Sequence, residues 1–325
     1  WTGSVISKIL LLMAVKSSVT TSIISVTLKP GHKRNMRQMG AAGRQSGACC
    51  SIDETSLCNE VYTIVSNKAG HGKKGSVIAI VKGTKANVVS AVLKKIPESE
   101  REKVTEITMD FSDSMFCIAK QCFPKATIVI DCFHIVQRLC EGLEEMRLRF
   151  KQLAVTESRK EAAAFAQNED RKAKQRAYYR KKHPRNKKER RGRKRIRKQK
   201  YKPTLLANGE TKVEMLTRSR NMLAQSGDKW GDSKKERARI LFEQYPQMKE
   251  AYSLICKVRA IFKSHITRKE AKEKLHEWYK EVNACTLREI KAARNAIKGK
   301  EEYVLNYFLN RSTNAAAESL NSKIK

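Results

Sequence analysis

With 68 Lys and Arg set against 33 Asp and Glu, this 325-residue chain carries a formal charge of +35, a surplus that attracts polyanions, phosphate backbone first among them. Its length suits one large domain or two smaller ones with a substantial core. No apolar span of about twenty residues or basic amphipathic helix supports a membrane as the polyanion, and an aromatic content of 6% argues against base stacking as the main mode of binding.

The chain begins at Trp1 rather than Met and is expected to be a fragment. Val5 to Leu28 is apolar and β-branched but interrupted by Lys8 and Lys16, and residues 31–47 read as a basic, Gly- and Ser-rich loop. Residues 1–46 carry no functional reading. From Ala48 the pattern tightens. ACCSIDE reads as a short strand ending on Asp53 and Glu54, and Val61–Val65 and Val77–Val81 as two more strands, joined by the Gly-rich, basic stretch NKAGHGKKG. Val88, Val89, Val92, Leu93 and Ile96 recur at helical spacing until Pro97 stops them. Val104, Ile107 and Met109 alternate with polar residues and lead into Asp110. Met115, Ile118, Ala119 and Cys122 then mark a helix closed by Pro124. Ala126–Ile130 is a β-branched run ending on Asp131, with His134 three residues on.

Strand, helix and strand at this length form a crossover unit, so the strands before Asp110 and Asp131 are predicted to be parallel. Adding the three earlier strands as an antiparallel meander gives an α/β fold with a mixed sheet of order 3-2-1-4-5, the ribonuclease-H-like arrangement. In that order Asp53 and Asp110 end neighbouring strands about 4.8 Å apart, on the edge where open α/β sheets keep their chemistry. Two carboxylates so close repel unless a cation lies between them, and a divalent metal is the usual answer. The bland alternative for Asp110 and Asp131 is that they are loop acids capping the helices that follow.

Beyond Val136 the composition turns helix-forming. Residues 171–200 hold roughly eighteen Lys or Arg against one acid, Glu189. Such a run repels itself and is expected to be extended or disordered when free, with phosphate contact by counterion release favoured over a merely solvated linker. Its expected contacts are Arg185, Lys187, Lys188, Arg190, Arg191, Arg193, Lys194, Arg195, Arg197 and Lys198. Lys212–Glu281 is again helical, with Trp230 and Trp278 read as core anchors rather than stacking platforms. Near the end Tyr303, Leu305, Tyr307 and Phe308 cluster, and Ser312 or Thr313 can cap a last helix holding Glu318 and Asn321. The nine Cys form no CxxC pair and no zinc-spaced set, the usage of a reduced compartment.

Four stretches in order, SIDETSL at Asp53, EITMD at Asp110, FPKATIVIDCFHIV at Asp131 and His134, and NRSTNAAAESLNSKIK at Glu318, resemble the ISL-three group of insertion-sequence transposases of the Asp-Asp-Glu class. The D-x-x-H from Asp131 to His134 is similar to a signature shared with mutator-like transposases. The resemblance covers about residues 47–325. It implies catalytic, metal-binding acids at Asp53, Asp110 and Glu318, with Asp131 and His134 as a supporting pair. It also implies two Mg²⁺ ions that Mn²⁺ can replace, DNA as element ends and target, a homo-oligomeric active complex and a bacterial, cytoplasmic, nucleoid-associated protein. Its division of the chain is a core from 47 to 140, a basic helical insertion from 141 to 300 and a returning helix from 301 to 325. The chain departs from the family pattern in having Cys132 where an Arg commonly follows the motif Asp. Nothing resembles the usual amino-terminal zinc and helix-turn-helix modules, and the last helix stops at Lys325. The rival expectation is a truncated, inactive DNA-binding remnant.

Overall fold

The computed structural model describes residues 48–57, 59–70, 76–184 and 199–324. The expectations for residues 1–46 and for the basic side chains from Arg185 to Lys198 lie outside the described residues. Five strands form one sheet: β1 (Ala48–Leu57), β2 (Glu60–Asn67), β3 (Val77–Lys82), β4 (Val104–Met109) and β5 (Thr127–Ile130), in the order β3-β2-β1-β4-β5. β1 pairs antiparallel with β2, and β2 with β3; β1 with β4 and β4 with β5 are parallel. This is the ribonuclease-H-like sheet.

Burial explains why β1 lies in the middle. Cys50, Ser51, Ile52 and Asp53 are all buried in succession, as in a strand covered on both faces. β1 also runs past Asp53 to Leu57, further than the sequence suggests. Its parallel pairing with β4 stops at Ile52–Met109, whereas the hairpin with β2 continues to Leu57–Glu60 and holds the strand extended.

Between β3 and β4 lie α1 (Ala86–Leu93) and the single turn α2 (Glu98–Arg101); α3 (Asp113–Cys122) makes the crossover to β5. α1 packs against α3 through apolar positions such as Val89, Leu93, Met115 and Ile118, all within 2% of full burial. Arg101 is buried with them, its guanidinium donating to the carbonyls of Ile96 and Cys122 at 3.0 and 2.7 Å.

α4 (Cys132–Lys182) is one helix of 51 residues. The expected extended, disordered run from residue 171 is thus corrected as far as Lys182. The ion pairs Lys172–Glu169 and Lys174–Asp170 offset part of the self-repulsion at helical spacing. Then come α5 (Lys212–Arg218), α6 (Arg220–Leu223), α7 (Asp232–Gln244), α8 (Pro246–Lys263), α9 (Arg268–Ala284), α10 (Arg288–Gly299), α11 (Glu301–Leu305), α12 (Tyr307–Asn310) and α13 (Ala315–Ile324).

The chain divides into two compact units. Of the described residues, one unit comprises those up to Arg138 with Val258–Lys280 and those from Arg294 on; the other comprises those within Leu139–Lys257 and Glu281–Ala293. In the first, α11 packs on β5 and α13 on β1. In the second, Thr211 and Glu214 form a reciprocal cap at the start of α5. Trp230 stacks on Tyr252 with ring centres 5.1 Å apart, and its Nε1–H donates to Met222 O at 3.0 Å, so it is a packing anchor. Trp278, 2% exposed in the first unit, is another.

Candidate active site

The site grows from one row of the sheet. Ile52, Met109 and Ile130 are partners in register across β1, β4 and β5, and the next residue in each strand direction is an aspartate: Asp53, Asp110 and Asp131. The Asp131 N–H continues the ladder by donating to Met109 O at 3.0 Å. Parallel pairing is what brings three acids, far apart in sequence, to one edge.

Their surroundings then separate them. Asp131 is 2% exposed and both of its oxygens accept backbone N–H groups, Oδ1 from Phe133 at 2.8 Å and Oδ2 from Asn314 at 2.5 Å. It caps the first turn of α4 and pins the chain ahead of α13. Asp110 is more open. Its Oδ1 meets His134 Nε2 at 2.7 Å and accepts from Asn314 Nδ2 at 3.0 Å. His134 therefore pairs with Asp110, not with Asp131 as a contiguous D-x-x-H motif suggests. Asp53 accepts from Glu54 N at 2.8 Å through Oδ1 and from Asn321 Nδ2 at 2.6 Å through Oδ2.

Glu318 is exposed in the first turn of α13, and its N–H donates to Asn314 O at 3.0 Å. Asn314, Glu318 and Asn321 follow one another at spacings of four and three, so they share a helix face. Asn314 and Asn321 turn that face toward the aspartates.

Charge follows the geometry. Burial, then the negative charge of Asp110, push the Asp53 carboxyl up to about 6; Glu318 adds to the effect, while the Glu54 N–H and His134 oppose it. Burial disfavours the charged form of His134, but the hydrogen bond and charge of Asp110, with Asp131 and Asp53 behind it, outweigh burial and raise its pKa. Asp53, Asp110, His134 and Glu318 thus form one electrostatic group.

Compared with known families, the chain matches the model of the ISL3-type DDE transposases, described as transposase, over residues 50–205 and 192–325. It belongs to that family. Comparison with curated proteins and with solved structures returned no match.

Transposases of this class generally use divalent cations and act on DNA, and the residues here fit a hard cation. Two carboxylates share a site where burial, and then the charge of Asp110, already force the Asp53 pKa upward. Beside them the Oδ1 atoms of Asn314 and Asn321 are buried with no protein partner, oxygens of the kind such ions accept. Among the described residues, no group of three or more His, Cys, Asp and Glu side chains is gathered at metal-holding spacing, so Glu318 does not close a cage with the aspartates. Also among the described residues, no helix is long and apolar enough to cross a membrane.

In this transposase the sequence singled out the acids but not what holds them. Asn314 reaches Asp110 and Asp131 from one residue, and it is fully buried. The only sequence signal for it and Asn321 is their spacing around Glu318. Cys132 supplies no charge beside Asp131: burial pushes its thiol up to about 11 and keeps it neutral.

Proposed function

We propose that the chain cuts DNA at the ends of an insertion sequence and joins the released 3′-OH to target DNA, with Asp53, Asp110 and Glu318 as the catalytic acids and two Mg²⁺ (or Mn²⁺) held among them. The observation that carries this reading is the register row that makes Asp53 and Asp110 neighbours, where the charge of Asp110 adds to the burial that raises the Asp53 pKa. When bound, the cations activate the attacking oxygen and stabilise charge on the leaving one. Asp53 and Asp110 bind them. Asn321 and Asn314 hold those carboxylates in one orientation, the outer support that ligand side chains need. His134 keeps Asp110 oriented and, when protonated, adds positive charge beside the scissile phosphate. Glu318, exposed on the face of α13 that Asn314 and Asn321 turn toward the aspartates, would join the set when cations and DNA are bound.

Positioning and charge neutralisation are the main demands of phosphoryl transfer, and no covalent protein intermediate is required. The active complex is a homo-oligomer on DNA, and the protein works in the bacterial cytoplasm at the nucleoid. The test is Mg²⁺-dependent nicking of DNA carrying the native element ends. Asp53→Asn, Asp110→Asn and Glu318→Gln should each abolish cleavage and leave DNA affinity within about twofold. Full cleavage by any of the three would remove that residue from the catalytic set.

A further inference from the structure

Glu106 is 4% exposed, and it lies on β4 two and four residues before Thr108 and Asp110, so all three share a sheet face. A buried carboxylate needs partners, and this one has them from the far end of the chain. Asn310 Nδ2 donates to its Oε2 at 2.8 Å, and the Ser312 hydroxyl donates to Oε1. Lys68 Nζ lies 3.8 Å from Oε1 and donates to Thr108 Oγ1 at 2.7 Å. Four residues beyond Glu106, Asp110 takes Asn314 Nδ2. Asn310, Ser312 and Asn314 therefore follow Glu106 on β4 and Asp110 just past its end in parallel sense, over about 13 Å of extended chain at roughly 3.3 Å per residue.

The same short segment is fixed from its other side. Arg311 sits in the left-handed region at φ 52, uncommon for a side chain with a Cβ. Its guanidinium donates to Phe262 O at 3.3 Å and to Ser264 O. α13 begins immediately afterwards. A buried ion pair adds little net stability over apolar residues of the same size, so burial alone gives no reason for a carboxylate here. Specifying one placement of the segment does.

We infer that Glu106 is a positioning residue: through Asn310 and Ser312 it sets the docked position of α13 and hence of Glu318. The catalytic consequence rests on the proposed role of Glu318; the docking does not.

The experiment uses the full chain with Glu106→Ala, Glu106→Gln and Ser312→Ala, and reads amide exchange and Mg²⁺-dependent cleavage of end DNA. Glu106→Ala should accelerate exchange across residues 315–322 at least about tenfold while β4 and β5 change by less than about twofold. Cleavage should fall about 10–100-fold at unchanged DNA affinity, the range expected of outer support. Glu106→Gln, which still accepts from Ser312, should restore most of both. If Glu106→Ala does not fold, Ser312→Ala should give the same pattern on a smaller scale.

Unchanged exchange across 315–322 in the variant that folds would overturn the inference, as would equal acceleration in β4 and α13. If the unaltered protein fails to cleave while the exchange pattern holds, the catalytic reading fails and the docking stands.

Discussion

Asn321 donates from Nδ2 to Asp53 Oδ2 at 2.6 Å, a bond between residues 268 apart in sequence that joins the last helix to the first strand. It holds α13 against β1 together with Ala317 and Leu320, which are buried. Asn321→Ala removes the bond and frees one rotamer of Asp53. The expected result is a fall of about 10–100-fold in single-turnover cleavage with DNA affinity unchanged. Asn321→Asp, which sets a second carboxylate against Asp53, should lower cleavage further than Asn321→Ala does. A ranking in the opposite order would show that the amide does not orient Asp53.

The raised pKa of Asp53 has a consequence for stability. Its ordinary value is 3.8 and its folded value about 6, so between those pH values the metal-free folded state holds a proton that the unfolded state has released. This contribution to stability is fully present below pH 3.8 and is lost as pH rises through about 6. Asp53→Asn should therefore raise the Tm of the metal-free protein by about a few degrees at pH 7.5, with a smaller gain at pH 4.5. Asp110→Asn should move the Asp53 titration, followed by carboxyl carbon NMR, toward lower pH. An Asp53 titration midpoint near 4 in the unaltered protein would contradict the burial of Asp53 beside Asp110.

Much of this arrangement was legible in the sequence because it is periodic. The alternation in Val104–Met109 and the apolar Thr127–Ile130, joined through a helix, required two parallel strands, and adjacency of β1 and β4 followed from the fold that they imply. What stayed hidden has no period. Asn314, Asn321 and Glu106 are single polar residues whose roles in docking the last helix come from partners 183 to 268 positions away. The partner of His134 was hidden for the same reason, since the short motif suggested Asp131 and the strand row supplies Asp110. Local charge also misled. The basic density after residue 171 suggested disorder, but Glu169 and Asp170 on α4 are placed to pair with it and the helix continues to Lys182.

In the second unit Glu210 offers a test of stability separate from the site. Its carboxylate, 6% exposed as a residue, receives Arg237 at 2.8 Å, Arg218 at 2.7 Å and Asn208 at 3.0 Å. Arg237 above all, then Arg218, hold its pKa down at about 2 against the cost of burial. The ordinary value is 4.5, so the stabilisation is present above that pH and is lost as pH falls toward 2. Glu210→Ala leaves two guanidinium groups near each other, Arg218 already half in solvent, and should cost about 1.5–3 kcal/mol at pH 7. Denaturant unfolding at pH 7 and pH 3 should show the difference from the unaltered protein shrinking at the lower pH. A constant difference would mean that the loss comes from packing rather than charge.

The last expectation concerns the basic run from Arg185 to Lys198, whose only acid is Glu189. The helix before it, α4, ends with Arg180, Lys181 and Lys182 exposed. Dense charge with a single amide, Asn186, to read base edges binds phosphate and displaces condensed counterions. Deleting residues 185–198 should therefore weaken binding to end DNA and to unrelated DNA by the same factor. It should also flatten the plot of log affinity against log salt by about 0.9 for each phosphate that the run neutralises. Cleavage at saturating DNA should change little, because the acids of the site lie on β1, at the end of β4 and on α13. Binding isotherms between 50 and 200 mM salt, roughly the range over which phosphate-driven affinity falls most steeply, measure both effects. A weakening confined to the element ends would show that the run reads sequence, and an unchanged salt slope would show that it does not touch phosphate at all.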